Sequence, residues 1–188
     1  SALGANGLAA LALVTTHVSA AAAALSWVVV EWWHRKRPTM LGFVSGLVAG
    51  LVAITPAAGY VSVGASMLIG ASAGAVCYGA VLLKERWHYD DSLDAFGVHG
   101  VGGILGAILT GVFAQKALNA DGADGLLAGN PMQLVKQLAG VVAAGAYSVA
   151  VTWVLLKGID RVVGLRVTKD EEMEGLDESQ HGESGYVM

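Results

Sequence analysis

Five long apolar stretches, each broken off by charge, proline or glycine, divide this chain. They run from about Leu8 to Trp33, Met40 to Thr55, Val61 to Leu83, Phe96 to Ala114 and Met132 to Leu156. Crossing the hydrocarbon core of a bilayer takes about 20 apolar residues in a helix, so the pattern predicts an all-α polytopic membrane protein with about five transmembrane helices. The breaks have plain chemical causes. His34-Arg35-Lys36-Arg37-Pro38 ends the first stretch, Pro56 and Gly59 the second, and Lys84-Glu85-Arg86 the third. The Gly-, Asp- and Asn-rich run from Asn119 to Pro131 predicts a solvated loop before the fifth. The second stretch is short for a span, which allows little tilt or places Pro56 inside it. The bundle is drawn as residues 1–160 and a charged tail as 161–188.

Composition agrees with this frame. Hydrophobic residues make up 55% of the chain and charged residues 14%, and there are 26 glycines. A soluble helical domain would carry polar residues along every amphipathic element. The single cysteine, Cys77, lies in an apolar run, where a free thiol packs as a small hydrophobe. The net charge of −4 hides an uneven distribution, with acids gathered at the C-terminus and bases in short loops.

That distribution predicts a topology. Arg35, Lys36, Arg37, Lys84, Arg86, Lys157, Arg161, Arg166 and Lys169 fall on one side of the five spans, and Lys116 and Lys136 on the other. The positive-inside rule makes the richer side cytoplasmic, with the start of the chain outside and its end inside. The chain opens at Ser1 without a methionine or a signal peptide, and reads as the later part of something longer.

Trp27, Trp32 and Trp33, and Trp87 with Tyr89, fall near span ends and are expected to anchor at the membrane interface. Gly42, Gly46 and Gly50, and again Gly70 and Gly74, are spaced by four and predict close helix packing in a dense bundle. The fourth stretch differs in kind. Gly97, Gly100, Gly103 and Gly106 recur every three residues, with Gly102 added, and flank His99 with positions that have no side chain. An ionisable ring in such a segment is either a core histidine bonded to a carbonyl or a functional residue projecting into a narrow gap. His17 has hydroxyl neighbours and is read as packing; His34, His88 and His181 lie in loops or the tail. Asp94 is a candidate to cap the fourth helix at its N-terminus.

The run Asp94-Ala95-Phe96-Gly97-Val98-His99-Gly100-Val101-Gly102-Gly103-Ile104 resembles the late pore-helix signature of the ammonium transporter family, the Amt/Mep/Rh proteins. Three further segments agree in order. Ser1-Ala2-Leu3-Gly4-Ala5-Asn6 resembles the segment after the family's sixth helix, and Gly50 through Tyr60 its GLVxITPxxGY turn. The segment Val163 to Val167, followed by Glu174-Gly175-Leu176-Asp177 and His181-Gly182-Glu183-Ser184-Gly185-Tyr186, resembles its cytoplasmic tail, most closely that of bacterial Amt proteins.

The resemblance implies the second inverted repeat of an eleven-helix ammonium channel, helices seven to eleven, with the N-terminal half of the subunit supplied elsewhere and the whole assembled as a homotrimer. It makes His99 the second of a pair of pore histidines and Ser1 a hydroxyl at the outer recruitment site. It makes Thr55 the residue whose carbonyl faces the substrate there, and places Ala95 and Phe96 along the inner path. Gly175, Leu176, Asp177, His181, Gly182, Glu183 and Tyr186 become a regulatory tail under the trimer, where a PII signal protein docks in bacteria. Composition alone would read that acidic tail as solvated and disordered; the motifs favour an ordered one. Gly185 stands where the family often has Ala.

The implied chemistry is recruitment of ammonium outside, its deprotonation, and passage of NH3 through an apolar lumen that excludes hydrated cations. Two other readings stay open: a Rh-type gas channel or ammonium sensor, and a non-conducting membrane scaffold in which His99 is packing. No cofactor, metal or nucleic acid is implied, and no nucleophile, paired carboxylates or metal-ligand spacing suggests an enzyme.

Overall fold

The computed structural model describes residues 4–185, the side chain of Glu85 excepted. Seven α-helices follow in order among these residues: α1 (Gly7–Arg35), α2 (Met40–Ile54), α3 (Val63–Trp87), α4 (Val101–Phe113), α5 (Pro131–Val162), α6 (Lys169–Glu174) and α7 (Leu176–His181). A π turn, Phe96–Gly100, leads directly into α4, and a 3₁₀ turn, Leu126–Ala128, lies in the loop before α5. Four segments are long and apolar enough to cross a membrane: α1, α3 from Val63 to Lys84, the π turn with α4, and α5. The expected short second span is α2, whose 15 residues end at Ile54, so Pro56 lies in the following turn and outside the helix.

Helix starts follow from side-chain caps. Asn6 accepts a hydrogen bond from Ala9 N at 3.0 Å, Thr39 from Gly42 N at 2.9 Å and Ser62 from Ala65 N at 3.3 Å, each satisfying one of the orphan donors of a first turn. Helices α1 and α3 stop where Lys36 and His88 turn left-handed, at φ 60° and 54°. Pro131, expected to close the loop, is instead the first residue of α5, where its missing N–H costs nothing.

The described residues divide into two compact units, one reaching to Val142 and one from Ala143. In the first, α1, α2 and α3 pack on one another and α4 packs on α2 and α3. Glycines and alanines make this possible. A Cβ at Gly46 would stand 2.7 Å from Trp27 Cβ, one at Gly50 2.6 Å from the Ser19 carbonyl, and Gly70 and Gly74 press on the backbone of Ser19 and Ala23. The spacing of four is thus a packing face, as the sequence predicts. One core cluster joins Ala53, Ile54, Ala57, Val61, Ala65, Ile69 and Ala73; a second joins Trp27, Ala49, Cys77, Tyr78 and Val98. Cys77 is fully buried.

Trp27 departs from expectation. It is 4% exposed and meets Tyr78 edge to face at 5.5 Å, so it is a core residue and not an interfacial anchor. Trp32, Trp33 and Trp87 are exposed. The difference lies in helix phase: Trp27 falls on the stripe with Ala20, Ala23, Ala24 and Glu31, all buried.

The second unit holds the rest of α5 and a helical hairpin. Helix α6 begins with a capping box in which Thr168 and Glu171 bond each other's backbone N–H. Gly175, at φ 103°, makes the corner into α7, and Ser179 Oγ donates back to the Glu171 and Gly175 carbonyls at 3.2 and 2.8 Å. Gly182, left-handed at φ 64°, ends α7, so Gly185 lies beyond the last helix.

Candidate functional site

Both ends of the bundle in the first unit are tied by polar contacts. At one end Thr15 Oγ1 donates to the Ala58 carbonyl at 2.7 Å and Gln115 N to the Tyr60 carbonyl at 2.9 Å. At the other, His34 Nδ1 lies 2.8 Å from Tyr78 Oη, Glu31 accepts from Thr39 N and Oγ1 at 3.1 and 3.0 Å, and Lys84 pairs with Asp94. The basic residues that follow α1 and close α3 lie at this second end.

The fourth span enters from that end through the π turn. The Asp91 carboxylate accepts from Ala95 N and Phe96 N, both at 2.9 Å. It therefore does the capping expected of Asp94, because Asp94 is left-handed at φ 56° and turns its carboxylate to Lys84. The Val101 N–H then reaches back five residues to the Phe96 carbonyl. The widened turn brings Gly97 inward beside Val98. Gly97, Val98, Gly102, Gly106 and Thr110 are buried, so the inward stripe is two residues wide at the turn and steps by four beyond it. The glycines spaced by three in the sequence are therefore not one face. Gly97 packs on Val81, Gly102 on Cys77 and Val52, and Gly106 on the Ala53 backbone.

His99 lies inside the π turn and on the side away from this packing. Its residue is exposed, as are Ala95 and Phe96, the latter 58% exposed and edge-on to Tyr89 at 6.2 Å. Among the described residues the His99 ring meets no hydrogen-bond or ion-pair partner. His17 is exposed too, but its Nδ1 lies 3.0 Å from the Leu13 carbonyl, a backbone partner in place of the expected hydroxyls.

Thr55 stands at the far end of α2 and is exposed, with Oγ1 donating to the Leu51 carbonyl at 2.7 Å. It lines a cavity of about 150 Å³ together with Leu8, Ala12, Ala58, Gly59, Tyr60 and Asn119. Ala95, Phe96 and His99 thus share one turn, while Thr55 belongs to the opposite end of the helices. Ser1 and Tyr186 lie outside the described residues. Gly175, Leu176, Asp177, His181, Gly182 and Glu183 come together in the tail hairpin, where Glu183 N donates to the Asp177 carbonyl at 2.9 Å. No group of three His, Cys, Asp or Glu able to hold a metal occurs among the described residues.

Two features of this region have only a faint mark in the sequence. Glu31 is 3% exposed, and its sole signal is an acid in an apolar helix eight residues before a capping threonine. The π turn has none beyond its run of glycines.

Residues 1–186 match the sequence model of the Ammonium Transporter Family. This chain belongs to that family. It is 53% identical over 189 residues to an ammonium transporter of Aquifex aeolicus, covering 100% of this chain and 44% of the relative. It is 48% identical to an ammonium transporter of Bacillus subtilis, covering 99% and 46%. Among solved structures, Saccharomyces cerevisiae Mep2 superposes with a TM-score of 0.83 at 38% identity, over 89% of this chain and 39% of that one. A sensor Amt protein gives 0.83 at 29%, over 95% and 43%. The chain therefore spans less than half the length of the transporters it matches, and it is a multi-pass membrane segment of the Amt/Mep fold.

Proposed function

We propose that the chain forms one half of an ammonium-transporting subunit and supplies one wall of its pore. The observation that carries this reading is the His99 ring, exposed and without a partner among the described residues, on a span whose opposite face is locked into the bundle through Gly97, Gly102 and Gly106. An imidazole so placed in a membrane segment needs a partner or a path, because its charged form is costly there. A second imidazole from the remainder of the subunit would complete the pair.

In this reading ammonium is recruited at the outer end, where Ser1 offers a hydroxyl and Thr55 a carbonyl. The cation is deprotonated, since ammonium is far costlier to desolvate than ammonia. NH3 then passes His99 and leaves past Phe96 and Ala95. The segment holds helices seven to eleven of the subunit, the subunits form a homotrimer, and the protein sits in the inner membrane. The Thr55 end faces out and the α6–α7 hairpin faces the cytoplasm, in keeping with the charge count. There Gly175, Leu176, Asp177, His181, Gly182, Glu183 and Tyr186 would meet neighbouring subunits and a PII-type signal protein.

Methylammonium uptake by a full-length transporter carrying this sequence tests the central residue. His99→Ala is expected to cut uptake by on the order of 100-fold at equal membrane abundance. Uptake equal to that of the unaltered protein would remove His99 from the path.

A further inference from the structure

We propose that Lys84 is a positioning residue for translocation, holding the π turn that carries Phe96 and His99 in its widened form. The inference rests on the proposed transport function. Lys84 lies near the C-terminus of α3, and its ammonium does two things at once. It donates to the Asp91 carbonyl at 2.9 Å and pairs with the Asp94 carboxylate. Asp91 in turn caps Ala95 N and Phe96 N, and the Asp94 carbonyl accepts from Val98 N at 2.9 Å. One side chain therefore fixes both residues that start the turn.

The turn needs such a restraint. A π turn is less stable than regular α-helix and survives where neighbouring structure holds it. Asp94 is also left-handed, at φ 56°, a conformation unfavourable for a residue with a Cβ, and its carboxylate is held there by Lys84. Beyond Val101 the helix has no freedom, because Gly102 and Gly106 are pressed against α3 and α2. Relaxation of the wide turn to α-helix must therefore act on the residues ahead of Val101. Removing one residue from the turn rotates them by roughly 100° about the axis, which takes Gly97 off Val81 and re-aims Phe96 and His99.

The consequence is specific to one end of the path. Thr55 and the cavity beside it lie at the other end of α2, and nothing in the Lys84 contacts reaches them. Loss of Lys84 should slow passage and leave recruitment unchanged.

The test is saturation of methylammonium uptake by the full-length transporter, with membrane abundance measured in parallel. Lys84→Met is expected to lower the maximal rate by about tenfold while the half-saturating concentration stays within about twofold. Lys84→Arg, which keeps a cation and several donors, should restore most of the rate. Asp94→Asn, which tolerates the left-handed backbone but loses the charge, should lower the rate in the same one-sided way, and it decides the matter alone if Lys84→Met does not reach the membrane. Wild-type rates in the variants, or a half-saturating concentration that rises as far as the rate falls, overturn the proposal. An unaltered protein that carries no methylammonium or ammonium at all counts against the transport function itself and not against the latch.

Discussion

Gly106 of α4 rests directly on the Ala53 carbonyl of α2, with no room between them for a methyl group. The contact lets two backbones approach without intervening side chains, the arrangement by which membrane helices gain packing energy in the absence of a hydrophobic drive. It also anchors the fourth span, and with it the π turn that carries His99.

Gly106→Ala should therefore destabilise the protein by about 1–3 kcal/mol, the usual cost of forcing a methyl group into a packed interior. Gly79, around which a Cβ would meet nothing within 4 Å, supplies the contrast. Gly79→Ala should be neutral or stabilising by up to about 1 kcal/mol, because alanine is the better helix former. Thermal unfolding of the two variants in detergent measures both; equal melting temperatures would show that α4 does not bear on α2 in this way.

Glu31 gives a second prediction. Its carboxylate is buried and accepts both the N–H and the hydroxyl of Thr39 across the turn from α1 to α2. Glu31→Ala leaves those donors without that acceptor and opens space, and should lower stability by about 1–3 kcal/mol. Glu31→Gln retains one carbonyl oxygen and should cost less than half as much. The same detergent melts would show the order, and a glutamine variant as weak as the alanine would mean that the charge, and not the acceptor, matters.

Trp27 provides a third, with an unusual sign. Its Nε1–H is buried with no hydrogen-bond partner among the described residues, while its ring packs on Tyr78. Trp27→Phe removes the unsatisfied donor and keeps an aromatic ring, so the lost volume and the relieved donor oppose each other and the net change should stay within about 1 kcal/mol. Trp27→Ala deletes the ring and should cost about 3–5 kcal/mol. Chemical or thermal unfolding of the pair separates these values, and a phenylalanine variant as unstable as the alanine would argue that the N–H has a partner.

These residues also mark how far the sequence could be read. Charge clusters and prolines marked the breaks between the four helices long and apolar enough to cross a membrane and the shorter α2, because charged groups are excluded from the bilayer and leave a visible boundary. The four-residue glycine steps on α2 and α3 were legible for the same kind of reason: each is one helix face. On α4 the three-residue glycine series does not by itself show the inward stripe, which holds Gly97, Val98, Gly102 and Gly106. Helix phase also hid Trp27, whose position near a helix end suggested an interface although its face is the buried one. Capping by Asp91 in place of Asp94 depended on a left-handed backbone that only the Lys84 contact makes clear. The proposed path residues Thr55, Ala95, Phe96 and His99 came from resemblance to a family; hydropathy pointed only to His99.

The tail hairpin supplies a pH-dependent prediction. The backbone N–H of Thr168, then its hydroxyl, and also the Gln180 amide hydrogen-bond the Glu171 carboxylate and hold its pKa below the ordinary value of 4.5. A carboxylate depressed in the folded state contributes stability that is present above its unfolded-state pKa and is lost as pH falls through the folded-state value. The α6–α7 hairpin should therefore be most protected near neutrality and open progressively as the solution is taken from about pH 6 to about pH 3. Amide exchange read at Glu172, whose N–H donates to the Thr168 carbonyl, and at Ser179, whose N–H donates to the Gly175 carbonyl, follows this opening directly. Glu171→Gln keeps an acceptor for Thr168 but cannot titrate. Its exchange, corrected for the intrinsic pH dependence, should be flat over the same range, and a profile that still steepens in acid would assign the effect to the neighbouring acids Asp170, Glu172 and Glu174.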